Sequence, residues 1–198
     1  MFTFANIFTA LRVLLAPVFF YLIITPDPTY TRLAVIMFGV AALTDFFDGY
    51  MARKFGEETE FGVFLDPLAD KVLVLSAFLS FVFLDIIPLW MIIVITVRDI
   101  GTTLMRIYAD AAKMHVQTSR SAKWKTAIQM IFIFYVLIVI ALTRSPEIPD
   151  IAQSSSDLLF SNSTYLTMLA ITVVTVWTLV EYILDNLDLF KRLVRVKK

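Results

Sequence analysis

Apolar runs long enough to cross a membrane occupy most of this sequence, and they constrain its fold more than any other feature. They fall near residues 8–24, 32–53, 61–84, 88–108, 123–142 and 165–187. A hydrocarbon core of ~30 Å takes ~20 helical residues, so each run is long enough to span one. Mean hydropathy is +0.81 and 59% of the 198 residues are hydrophobic, which leaves little sequence for a soluble domain. The expected fold is an all-α integral membrane bundle, one domain over residues 1–198, with about six transmembrane helices. Residues 1–11 read as a short interfacial helix anchored by Phe2, Phe4, Ile7 and Phe8. The first run lacks the basic lead and the small-x-small site of a signal peptide.

Lysine and arginine set the expected topology. With the N-terminus inside, the inner face receives Arg53, Lys54, Arg106, Lys113, Arg120, Lys123 and Lys125, and the tail Lys191, Arg192, Arg195, Lys197 and Lys198. The outer face receives only Arg32 and Arg144, among the acids Asp27, Asp85, Glu147, Asp150 and Asp157. Both termini are therefore expected in the cytoplasm of a multi-pass inner-membrane protein. The segment 144–156, with two prolines and four serines, reads as the longest outer loop. Cysteine is absent, which excludes disulfides, thiolate zinc sites and a thiol nucleophile. His115, the single histidine, falls in a polar inner connection and reads as a solvated residue.

Four aspartates interrupt this apolar background, in the order Asp45-x2-Asp48-Gly49-x2-Ala52-Arg53-x8-Gly62-x3-Asp66-x3-Asp70. Carboxylates in membrane segments are costly and point to function. Asp45 and Asp48, and likewise Asp66 and Asp70, share a helix face at i, i+3 or i, i+4 spacing. Two such helices set face to face would concentrate negative charge that calls for bound cations. Hard oxygen donors favour Mg²⁺, Mn²⁺ or Ca²⁺. Gly49 and Ala52 either let a nucleotide approach closely or serve close helix packing. Arg53 is either a phosphate fork or a snorkelling surface residue.

This pattern resembles the signature of the CDP-alcohol phosphotransferase family, membrane enzymes that build phospholipid head groups. All eight fixed positions match; at ~6% usage each, chance agreement is about 10⁻¹⁰ per start point. The resemblance implies a reaction in which a hydroxyl attacks a CDP-linked lipid or alcohol and CMP leaves. It implies that Asp45, Asp48, Asp66 and Asp70 hold two Mg²⁺ or Mn²⁺ ions, with Asp70 also the general base. It implies nucleotide or donor contacts from Gly49, Ala52 and Arg53. The opening Asn6-x2-Thr9-x2-Arg12 also resembles family members, and adds Asn6 and Thr9 to the donor side; a helix cap is the plainer reading of either.

The segment Ala122-Lys123-Trp124-Lys125-Thr126-Ala127-Ile128-Gln129 resembles a Gly-Lys-x-Lys-Thr-x-x-Gln stretch in the branch of the family whose acceptor is glycerol 3-phosphate, with Ala122 in place of glycine. Arg98, Arg106, Arg120, Lys123 and Lys125 are then the expected acceptor-phosphate residues; positive-inside bias alone is the plainer reading of these charges. The implied partners are CDP-diacylglycerol, glycerol 3-phosphate, membrane lipid and a second copy in a homodimer, and no nucleic acid. A branch that uses phosphatidylglycerol as acceptor is the nearest alternative. A small cation transporter is the non-enzyme alternative, disfavoured because the carboxylates cluster at one side and residues 131–142 are apolar apart from Tyr135.

Overall fold

The computed structural model describes residues 4–55, 60–111 and 120–187; the side chains of residues 4–10, 45–55, 60–70, 110, 111, 120 and 122 lie outside the described set, as does His115. Among the described residues there are seven helices and no strand: α1 Phe4–Ile24, α2 Pro28–Phe55, α3 Glu60–Phe83, α4 Leu89–Ala111, α5 Arg120–Thr143, α6 Pro149–Leu159 and α7 Asn162–Asp185. All but α6 are 21 to 28 residues long. Among the described residues, Lys123–Thr143 and Asn162–Asp185 are long and apolar enough to cross a membrane.

The pattern of burial is that of a protein solvated by hydrocarbon. On α7 the exposed side chains include Leu166, Val173, Val176, Trp177, Val180 and Leu184, while Thr164, Thr172, Thr175 and Thr178 are buried. A soluble helix does the reverse. The inward threonines avoid a desolvation cost because Thr172 and Thr175 donate to the carbonyls of Met168 and Ile171, at 2.9 and 2.8 Å. Between helices, packing is dense. Phe38 of α2 lies 5.3 Å from Phe19 of α1 and 5.4 Å from Phe134 of α5, centroid to centroid. With lipid outside, such packing and buried polar contacts, not exclusion of water, hold the helices together. α1 packs on α2 and α3, α3 on α4, and α5 on α2, α6 and α7, with α4 against α7.

The helix ends follow local chemistry. α2 begins at Pro28, and the Asp27 carboxylate accepts from the backbone N–H of Thr29 and Tyr30 at 2.8 and 3.1 Å, an N-cap before a first-turn proline. α3 ends in a Schellman turn: Asp85 takes φ 58°, its N–H bonds Val82 O, and Ile86 N–H bonds Phe81 O. The buried side chains of Ile86 and Phe81 supply the hydrophobic contact that accompanies this turn. α7 is capped by the Ser161 hydroxyl, which accepts from Thr164 N–H.

Two expectations change. α1 runs unbroken from Phe4 to Ile24, so no separate interfacial helix precedes the first apolar run. Nothing between Asn6 and Ala16 breaks a helix, and Pro17 is accommodated within it. The expected loop 144–156 holds most of α6, because Pro149 starts a helix at its first turn and Asp150 suits that end. Ser155, expected to face water, is buried in it.

The C-terminal ends of α1 and α5 and the N-terminal end of α2 are tied by one side chain. Arg144, just past α5, donates to Ile23 O at 2.7 Å, Thr25 O at 3.0 Å and Thr31 Oγ1 at 2.9 Å. It satisfies the Ile23 carbonyl in the last turn of α1 and shares the Thr25 carbonyl with the Asp27 N–H. Burial of the guanidinium works against the tie and lowers the Arg144 pKa from its ordinary value. Nearby, Arg32 pairs with Glu147 and holds that carboxyl below its usual range, but both are exposed and the pair contributes little. Replacing Arg144 with Leu should therefore lower the thermal midpoint of the detergent-solubilised protein, through a loss of about 1–3 kcal/mol for the buried Ile23 carbonyl left unsatisfied. An unchanged midpoint would mean that this carbonyl finds another donor.

Candidate functional site

The conspicuous side-chain cluster among the described residues lies where α4, α5 and α7 meet. Arg98 and Asp99 sit mid-helix in α4 and are 8% and 6% exposed. Lys125, in the second turn of α5, is 1% exposed. Its Nζ donates to Asp99 Oδ1, and Arg98 Nη1 reaches the same oxygen at 3.2 Å. Arg98 Nη2 donates to Thr178 Oγ1 of α7 at 2.9 Å. Two cations thus share one carboxylate, and the three residues together carry one net positive charge. Burying unbalanced charge is expensive and marks a place where an anion is expected.

Donors are left over in this cluster. Arg98 Nε and Gln129 Nε2 are buried and have no hydrogen-bond partner among the described atoms. Gln129 lies one turn beyond Lys125 on the same face of α5. Beside Asp99, between α3 and α4, is a cavity of about 120 Å³ whose lining also includes Lys71 and the apolar Val72, Leu75, Phe78 and Ile95. Ser121 at the start of α5 donates to Glu181 of α7, joining those helices near the same end.

The expected acceptor residues separate into two groups. Arg98 and Lys125 are brought together, 27 positions apart in sequence, through Asp99. Lys123 and Arg106 are exposed and lie outside the Asp99 cluster. Helical phase explains this: Lys123 is two residues from Lys125 and so points from another face of α5. The Arg120 side chain lies outside the described set. Sequence reasoning gave Asp99, Thr178 and Lys71 no part in the site. A carboxylate next to Arg98 in an apolar run was the available signal for Asp99, and the three-residue spacing of Thr172, Thr175 and Thr178 was the signal for Thr178.

The four aspartates fall on two helices, Asp45 and Asp48 in the C-terminal half of α2 and Asp66 and Asp70 in the N-terminal half of α3. Their side chains, and those of Asn6, Thr9, Gly49, Ala52 and Arg53, are outside the described set. The helix assignment still sets their phase. At 100° per residue, Asp45, Asp48, Gly49 and Ala52 fall within an arc of about 100° on α2, and Asp66 and Asp70 within about 40° on α3. α1, which begins with Asn6 and Thr9, packs on both helices. Arg12, from that opening segment, is buried. Among the described residues no three His, Asp or Glu side chains form a metal site. The donor set on α2 and α3, all carboxylate oxygen in two same-face pairs, fits a hard divalent cation.

A model of the CDP-alcohol phosphatidyltransferase family matches residues 2–184. The chain is 36% identical over 132 residues to a probable phosphatidylglycerophosphate synthase of Mycobacterium tuberculosis H37Rv, covering 65% of this chain and 63% of that one. It is 35% identical over 150 residues to the CDP-diacylglycerol–glycerol-3-phosphate 3-phosphatidyltransferase of Bacillus subtilis 168, covering 70% and 78%. The Haemophilus influenzae Rd protein of that description is 32% identical over 203 residues, covering 91% and 95%. The match thus spans less than two thirds of the mycobacterial relative and nearly all of the Haemophilus one. With a family model matched over almost its whole length and the aspartate signature on two consecutive helices, the chain belongs to the CDP-alcohol phosphatidyltransferase family.

Proposed function

We propose that this chain is a phosphatidylglycerophosphate synthase, transferring a phosphatidyl group from CDP-diacylglycerol to sn-glycerol 3-phosphate and releasing CMP. The observation that carries the choice of acceptor is the buried, net-positive cluster of Arg98, Lys125 and Asp99, with spare donors on Arg98 and Gln129. An acceptor that itself bears a phosphate supplies the missing negative charge. The names of the relatives in Mycobacterium, Bacillus and Haemophilus agree with this reading.

In this reading Asp45, Asp48, Asp66 and Asp70 would hold two divalent cations, Mg²⁺ or Mn²⁺. When bound, these ions screen the pyrophosphate and stabilise the departing CMP oxygen. Asn6, Thr9, Gly49, Ala52 and Arg53 contribute to the donor side, the small residues allowing close approach and Arg53 offering a fork to phosphate. Arg98 and Lys125 hold the acceptor phosphate, with Arg106, Arg120 and Lys123 as a basic mouth. Asp70 takes the proton from the acceptor 1-hydroxyl. The hydroxyl oxygen bonds the phosphatidyl phosphorus while the phosphorus–oxygen bond to CMP breaks, which conserves the phosphate count and leaves a phosphodiester. Catalysis of this kind rests on placement and electrostatics.

The chain is taken as a single membrane domain that crosses the bilayer six times, with both termini and the site cytoplasmic, and that works as a homodimer. Exposed aromatics support the crossings: Tyr30, Trp90 and Tyr165 stand at the outer ends of α2, α4 and α7, and Tyr108 and Trp124 at the inner ends of α4 and α5.

Three outcomes test these assignments. Purified protein given CDP-diacylglycerol, Mg²⁺ and glycerol 3-phosphate should release CMP, chelation should abolish release, and Asp48→Asn or Asp66→Asn should remove most of it while the protein still purifies normally. Full turnover in excess chelator would refute the metal site. Lys125→Met should raise KM for glycerol 3-phosphate about tenfold or more, the size of a charge-assisted contact of ~1.5–3 kcal/mol, and shift it further than Lys123→Met does. Release with phosphatidylglycerol but not glycerol 3-phosphate would replace the acceptor. Cysteines introduced at Glu58 and Lys197 should react with an impermeant reagent from the cytoplasmic side, and one at the exposed Ser154 from outside; the opposite pattern inverts the topology.

A further inference from the structure

Asp99 is the shared partner of both buried cations. One turn further along α4, Thr102 Oγ1 and Thr103 Oγ1 donate to the backbone carbonyls of Arg98 and Asp99 at 3.0 and 2.7 Å, bonds within the helix that carries both residues. The Asp99 carboxylate reaches from α4 to α5, where Lys125 Nζ donates to it. A lysine carries four rotatable bonds and a point charge, so by itself it does not select one geometry. Arg98 is held by Nη1 on Asp99 and Nη2 on Thr178, which leaves Nε as a donor without a partner among the described residues.

We propose that Asp99 is a positioning residue for the acceptor phosphate, acting through Lys125 and Arg98 rather than touching substrate. The inference rests on the acceptor reading above and deepens it. An anion has no reason to approach a carboxylate, so the role of Asp99 is to draw the ammonium and guanidinium groups into one arrangement and to offset one of their two charges. One net positive charge then remains, enough to attract a phosphate. Without Asp99 two cations would be buried side by side, repel each other and seek separate exits toward lipid headgroups or water.

A double-mutant cycle in the purified full chain tests this, with CMP release read against glycerol 3-phosphate and against CDP-diacylglycerol. Asp99→Asn should raise KM for the acceptor about tenfold, like loss of a charged contact, and leave KM for the donor within about twofold. Because Asp99 acts through Lys125 and Arg98, the pair Asp99→Asn with Lys125→Met should raise the acceptor KM by less than the product of the two single effects. Asp99→Glu, which restores the charge, should recover part of the acceptor KM. Equal rises in both KM values, or additive effects in the pair, would overturn the proposal. Should Asp99→Asn fail to fold, the double variant, which has the net charge of the wild-type cluster, is compared with Lys125→Met; a further rise in acceptor KM of about tenfold or more overturns the proposal and a smaller one supports it. A wild-type protein that uses phosphatidylglycerol and not glycerol 3-phosphate defeats the acceptor reading separately, and the same cycle is then read on that acceptor.

Discussion

Lys125 can be buried in this protein because Asp99 meets it, and α4, α5 and α7 come together around that contact. The pair joins α5 to α4, and Arg98 extends it to Thr178 on α7. Desolvated charges of this kind seldom add stability over an apolar core of equal volume. Their retention here, with one positive charge left over, is better explained by something the charge attracts. The fold thus accommodates an electrostatic imbalance at the place where the proposed reaction needs one.

The same inversion runs through the rest of the molecule. Lipid-facing surfaces are apolar and helix contacts are partly polar, so threonines, serines and charged groups collect between helices. Ser76 and Ser80 on α3 are buried, each bonding a carbonyl one turn back. Large aromatic groups, Phe19, Phe38, Phe78 and Phe81 among them, fill the space that these small polar side chains leave. Helix positions are then set by volume and by a few directional contacts.

The six long helices were legible in sequence because apolar length is a one-dimensional signal, and their bounds in the structure fall within a few residues of the runs. The family was legible for the same reason, since eight spaced residues on adjacent helices need no tertiary knowledge to read. Contacts across the bundle were not. Asp99 looked like a neighbour of Arg98 until α5 brought Lys125 to it, and nothing local announces that Lys125 faces inward while Lys123 faces out. α6 was missed because proline and serine mark loops on average, whereas a proline at a first turn begins a helix. Arg144 was counted as an outer-loop charge, and its use as a cap for α1 depends on where α1 ends in space.

Fastened at both ends, α5 has a defined length. Arg144 locks its C-terminal end to α1 and α2, and Lys125 locks its N-terminal end to α4. About 28 Å of helix separates the two, at 1.5 Å per residue. A single inserted or deleted residue between them would rotate one fastening about 100° relative to the other and shift it by about 1.5 Å. The two could not then both close. This helix can exchange side chains within its apolar middle, but it acts as a gauge whose residue count is constrained by the helices at either end.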